Sequence, residues 1–212
     1  MAMDYAKLEQ AMADLKEQEV LDMMSSIADG GGDAQLALEA CTRGLETVGR
    51  LYEEKVYFLP DLIFAGEVMT EAAEIVKPLL SDGGNKTLGK MILCTVKDDL
   101  HDIGKNIVKA MMEAAGFEVI DLGINVAPET IVQTAKEQGV KIIGLSSVLS
   151  LAIGSMKATI DCFVDAGMRD DVKIIIGGNP VNETTFQLVG ADAWAFSPFR
   201  GVQICKAWAE EA

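Results

Sequence analysis

Along the first 80 residues the apolar positions recur at three and four. Leu38, Cys41, Leu45, Val48 and Tyr52 mark one face of a helix, and Leu62, Ala65, Met69, Ala72 and Val76 mark another. Pro60 suits a first helical turn and Pro78 a stop. Two shorter helical patterns, about residues 4–14 and 17–28, precede the turn-forming DGGGD at 29–33. No segment there reads as a strand, so the spacing predicts a four-helix bundle over residues 1–85. The rhythm changes at SDGGNKTLG, residues 81–89. Beyond it, short continuous apolar runs alternate with segments of helical length: 90–96, 117–122, 141–146, 172–177 and a short 193–196. Such alternation predicts an α/β domain over 89–212, a flavodoxin-like (Rossmann-like) five-stranded parallel sheet with strand order 2-1-3-4-5.

Composition narrows the function. Half of the 212 residues are hydrophobic and the net charge is −15. An acidic chain is a poor partner for nucleic acid or an anionic membrane, both of which call for Lys and Arg. No basic-plus-apolar N-terminal segment reads as a signal peptide, and no apolar run has the length to span a bilayer. The four cysteines, Cys41, Cys94, Cys162 and Cys205, are far apart with no C-x-x-C pair, so a cytoplasmic protein with reduced thiols is expected. The 11 methionines, paired at 23–24 and 111–112, read as core filler.

The candidate chemistry centres on the single histidine, His101. Open parallel sheets bind ligands at the carboxyl ends of strands 1 and 3. That rule brings together the loop 97–104 with Asp99 and His101, the SSVLS turn from Ser146, and Gly177-Gly178. G-x-G-x-x-G and the P-loop pattern are absent from the first loop. Asp98 and Asp99 would repel the phosphate of a flavin. A receiver domain needs an acceptor aspartate where Ser146 stands. One imidazole cannot hold a bare zinc. It suits one axial position on a metal already held by a macrocycle, with Asp99 taking the second ring N–H; an ordinary surface histidine fits the same position and pairing.

Asp99-Leu100-His101-Asp102-Ile103-Gly104, then Gly144 to Val148, then Gly177-Gly178, resemble the D-x-H-x-x-G, S-x-L and G-G signature of cobalamin-binding domains. The longer VKDDLHDIGKNIV is similar to the form found in corrinoid-dependent methyltransferases, and LYEEKVYFLPDLIFAGEVM at 51–69 resembles their helical cap. The resemblance covers roughly the whole chain. It implies a cobalamin or related corrinoid bound base-off, with His101 as lower axial ligand and Asp99 on its far nitrogen. Gly104 would give the nucleotide tail room. Ser146 would bind its base, and Gly177 and Gly178 would let backbone approach it. Asp102, Ile103, Val148 and Ser150 complete the implied contacts, and Tyr52 and Leu59 would shield the methyl face. Val148 replaces the signature leucine, and Ala152 replaces a serine that in methionine synthase extends the Asp–His bonding, so a water is expected beyond Asp99.

With no room for a substrate barrel, the resemblance further implies a shuttle subunit rather than a complete enzyme. It would work between a substrate-specific methyltransferase and a methylcorrinoid:acceptor methyltransferase using tetrahydrofolate or a thiol, be served by a reductive activase, and swing its cap about a hinge at 81–89. The alternatives are an adenosylcobalamin mutase small subunit and a cobalamin-sensing module.

Overall fold

The computed structural model describes residues 4–80 and 87–211. The chain forms two compact units, 1–86 and 87–212. Of the expected hinge, residues 81–86 lie outside the described residues.

The first unit is built of α1 (Tyr5–Ala13), α2 (Glu17–Ser26), α3 (Ala34–Glu53) and α4 (Leu59–Leu80). Asp4 and Asp33 cap α1 and α3, accepting from Lys7 N at 3.1 Å and Leu36 N at 3.0 Å. The stripe on α3 is buried at its centre, Cys41, Leu45 and Val48, and half-buried at its ends, Leu38 and Tyr52. It packs with Leu8 and Met12 of α1 and with Leu62, Ala65, Met69, Ala72 and Val76 of α4. Gly44 brings α1 and α3 together, because a Cβ there would lie 2.6 Å from Glu9 O.

Two local expectations change. The DGGGD segment is not a plain loop. A π turn, Ile27–Gly31, continues from α2 and breaks at Gly30, where φ is +93°. Pro78 lies inside α4 rather than ending it. Only two residues of the helix follow it, so its missing N–H costs a single bond in the last turn.

The second unit is a five-stranded parallel sheet in the order β2-β1-β3-β4-β5. The strands are β1 (Gly89–Val96), β2 (Phe117–Val126), β3 (Ile142–Ser146), β4 (Lys173–Gly177) and β5 (Ala193–Ala195). On one face α5 (Ile103–Ala114) packs against α9 (Pro198–Glu211); on the other, α6 (Pro128–Gln138), α7 (Ile153–Asp165) and α8 (Glu183–Val189) pack in sequence. The core between the sheet and this second face is apolar, with Ile92, Ile143, Leu145, Ile174 and Ile176 against Ile131, Met156, Ile160 and Phe163. β2 runs four residues beyond its apolar pattern. Its pairing with β1 shifts after Leu93↔Asp121 and resumes at Cys94↔Gly123 and Val96↔Val126, so a bulge carries the edge strand on past the predicted end. Among the described residues no helix is long and apolar enough to cross a membrane.

Candidate corrinoid-binding site

Thr95, Ser146 and Gly177 are register partners across β1, β3 and β4. The loops leaving the three strands therefore start side by side at the carboxyl edge. Two residues outside the usual backbone regions shape the first loop: Asp98 with φ +70° and Asn125, at the end of β2, with φ +54°. They hold each other. Asp98 N donates to Asn125 Oδ1 at 2.8 Å, and Asn125 N donates to Asp99 O at 3.0 Å. The buried Thr95 hydroxyl ties the same knot, donating to Asp99 O at 2.6 Å and accepting from Asn125 N at 2.9 Å.

Asp99 is the centre of the site. It is fully buried, and both carboxylate oxygens are occupied. Oδ1 accepts from His101 N at 2.9 Å and faces His101 Nδ1 at 2.9 Å. Oδ2 accepts from Ser147 Oγ at 2.7 Å, Val148 N at 2.7 Å and Leu149 N at 3.0 Å. Burial alone would raise the Asp99 pKa. The hydrogen bonds from His101 N, Ser147 Oγ, Leu149 N and Val148 N outweigh it and hold the carboxyl well below the usual range. Asp99 is thus a fixed anion, and with Nδ1 donating to it the acceptor nitrogen of the ring is Nε2. The His101 side chain is 51% exposed, and Nε2 makes no hydrogen bond among the described residues.

Ser147 escapes the sequence reading. Its neighbour Ser146 ends β3, is half-buried, and makes no hydrogen bond to Asp99 among the described residues. Ser147, one residue on, faces the other way and supplies the hydroxyl. Ser147 thus extends the Asp99–His101 pair with a hydroxyl from a position other than 152. The signal was the strand period: adjacent residues point to opposite sides.

Gly178 sits behind Ser147. Its φ is +114° and an added Cβ would lie 1.8 Å from Ser147 O, while Ser147 N donates to Gly177 O at 3.1 Å. Gly178 is therefore demanded by the chain's own backbone. Gly104 is the opposite case: a Cβ there would meet nothing within 4 Å, so no internal packing calls for glycine. Asp102 caps α5 by position, its Oδ2 accepting from Asn106 Nδ2 at 3.2 Å. Ser150 opens a short 3-10 turn. Tyr52, half-buried, lies in the last turn of α3, and Leu59, exposed, opens α4; both belong to the helical unit, beside exposed Val56 and Phe58.

These residues suit a corrinoid. Among the described residues no group of three or more His, Cys, Asp or Glu forms a metal cage, so the imidazole can supply only one ligand to a metal held otherwise. Burial pushes the Cys94 thiol up to about 12, which keeps it protonated and out of competition. Leu100, Ile103, Val148, Leu149 and Leu151 are exposed on the loops around His101, an apolar collar that fits a flat macrocycle. Gly104 leaves space where a tail can pass.

Comparison with known proteins supports corrinoid binding by this chain. Two family profiles, each described as a B12 binding domain, match residues 5–77 and 89–202. The chain is 37% identical over 153 residues, 72% of each chain, to dimethylamine corrinoid protein 1 of Methanosarcina acetivorans. It superposes with a TM-score of 0.82 and 44% identity on the crystal structure of a cobalamin-binding protein from Desulfitobacterium hafniense, covering 98% of this chain and 99% of that one. A chain of the methanol:cobalamin methyltransferase complex of Methanosarcina barkeri matches with a TM-score of 0.77 and 25% identity, over 97% of this chain and 79% of that one. The chain belongs to the B12-binding family of corrinoid proteins that serve methyltransferase systems.

Proposed function

We propose that this protein is the methyl-carrying shuttle of a corrinoid-dependent methyltransferase system, and that it binds its corrinoid base-off with His101 Nε2 on the cobalt. The observation that carries the reading is the 2.9 Å Asp99–His101 contact beside an unspent Nε2. When bound, the cobalt supplies a site on which a methyl group is reversibly carried. The chain's own residues do the rest. Asp99 keeps the proton on Nδ1, which fixes the tautomer and strengthens Nε2 as a ligand. Ser147 and the Val148 and Leu149 amides keep Asp99 from turning. Gly104 and Ser146 leave passage for the displaced tail, with Asp102, Ile103, Ser150, Gly177 and Gly178 along it. In the helical unit, taken as a cap over 1–85, Tyr52 and Leu59 would shield the methyl face from water, joined by Phe58.

The relatives' names support one partner, a methyltransferase for a methylated amine or alcohol; an acceptor methyltransferase and a reductive activase complete the proposed cycle. They favour a methyl carrier over a mutase subunit. Four thiols without disulfides fit a cytoplasmic setting. The test is the absorption spectrum of methylcobalamin added to the purified protein. The wild type should bind it with an axial-nitrogen spectrum, and His101→Ala should bind it with a base-off spectrum. An identical spectrum from both would contradict the assignment.

A further inference from the structure

One of the largest buried side chains of the sheet unit is not apolar. It is Lys105, in the first turn of α5. That placement is doubly unfavourable: a buried ammonium loses its hydration, and a cation at a helix N-terminus opposes the helix dipole. What meets it is Asp121, whose Oδ1 and Oδ2 both lie 2.7 Å from Nζ, with Asn106 Oδ1 at 2.8 Å. Asp121 also accepts from Gly123 N at 2.9 Å and has Lys109 Nζ at 3.6 Å. A pair of this kind, with the lysine buried and the aspartate half-buried, adds little stability over an apolar pair of the same size, so its position is the informative feature.

Asp121 is the last residue of β2 paired with β1 before the bulge. Four residues on, Asn125 holds the start of the histidine loop through Asp98 and Asp99. The loop is thus tied at its start by Asn125 and at its end by Asp121, both from one short segment of the edge strand. The second tie reaches further. Lys105 donates to Asn106, and Asn106 donates to Asp102, the residue next to His101.

We propose that the Lys105–Asp121 ion pair positions the His101 loop for the metal, making Lys105 and Asp121 positioning residues rather than stabilisers of the core. The proposal rests on His101 being the cobalt ligand.

The experiment compares wild type, His101→Ala and the apolar pair Lys105→Met/Asp121→Leu, each loaded with methylcobalamin, by absorption spectrum and by melting followed through tryptophan fluorescence. The double variant should bind the corrinoid and melt close to the wild type. Its ratio of axial-nitrogen to base-off spectrum should fall by about tenfold, as when a partner that orients a ligand is lost. A merely structural pair would leave the spectrum of the folded protein as in wild type, whatever the melting midpoint; that result overturns the proposal. If the double variant does not fold, Asp121→Asn, which strips the buried ammonium of its counter-charge and should melt below wild type, carries the same spectral expectation and the same refutation. A wild type lacking the axial-nitrogen spectrum overturns the ligand assignment and this proposal with it, whereas a wild-type spectrum in the double variant, with His101→Ala base-off, overturns this proposal alone.

Discussion

The two units are held together by different means. Among the described residues, Thr95, Asp99, Lys105, Ser147, Thr159, Thr185 and Ser197 are the buried polar side chains, and all seven lie in the sheet unit. The interior of the helical unit is apolar. Its polar contacts, such as Tyr57 Oη donating to Ala13 O at 3.0 Å and Tyr5 Oη accepting from Asp33 N at 2.7 Å, lie nearer the surface. Apolar packing tolerates exchange of side chains of similar volume. A buried carboxylate with five donors does not, because each orphaned donor carries its own penalty. The sheet unit therefore fixes one geometry at one atom, Nε2, and the helical unit provides a surface.

The chain offers its own probes for separating the two. Both tryptophans, Trp194 and Trp208, are in the sheet unit and all three tyrosines, Tyr5, Tyr52 and Tyr57, are in the helical one. Asp99→Ala should have the largest effect, costing the sheet unit about 3–5 kcal/mol by stranding the His101, Val148 and Leu149 amides; urea unfolding followed by tryptophan fluorescence measures it. Leu45→Ala should cost the helical unit about 2–4 kcal/mol through a cavity, seen in the tyrosine signal, with the spectrum of bound corrinoid unchanged. Movement of that spectrum would break the division of labour.

Ser147→Ala should cost about 1–2 kcal/mol, since the two amides remain on Oδ2. The pH dependence sharpens the point. The folded pKa of Asp99 lies below its unfolded value of about 3.9. Its contribution is therefore complete above that value and is lost as pH falls toward the folded pKa. The stability gap between wild type and Asp99→Asn, flat near neutrality, should shrink below about pH 4. A gap that widened there would mean the carboxylate is not held ionised. The smallest stability effect is Gly104→Ala, within about 0.5 kcal/mol because the added methyl meets nothing, yet corrinoid affinity should drop by about tenfold if the tail runs there.

Much of this was legible in the chain. The strand runs and the three-and-four spacing set the architecture, and connectivity placed the His101 loop beside the loops after β3 and β4. What stayed hidden depended on register. Ser146 and Ser147 are the same residue type side by side, and only the pleat decides which hydroxyl reaches Asp99. The bulge after Asp121 has no apolar signature, so the reach of Asn125 to the histidine loop was invisible. Lys105 reads as a surface lysine until it is set on the stripe with Val108 and Met112, three and seven residues on. Pro78 shows a stop signal overridden where a helix was about to end.

The central claim rests on one nitrogen, and the chain has one histidine. Growing the untagged protein with 15N-histidine labels that residue alone, and the electron paramagnetic resonance spectrum of its bound corrinoid in the paramagnetic cobalt(II) form reports the axial nitrogen directly. The account predicts that the threefold splitting of unlabelled protein becomes twofold on labelling. A threefold pattern that persists, or no nitrogen splitting at all, would contradict it.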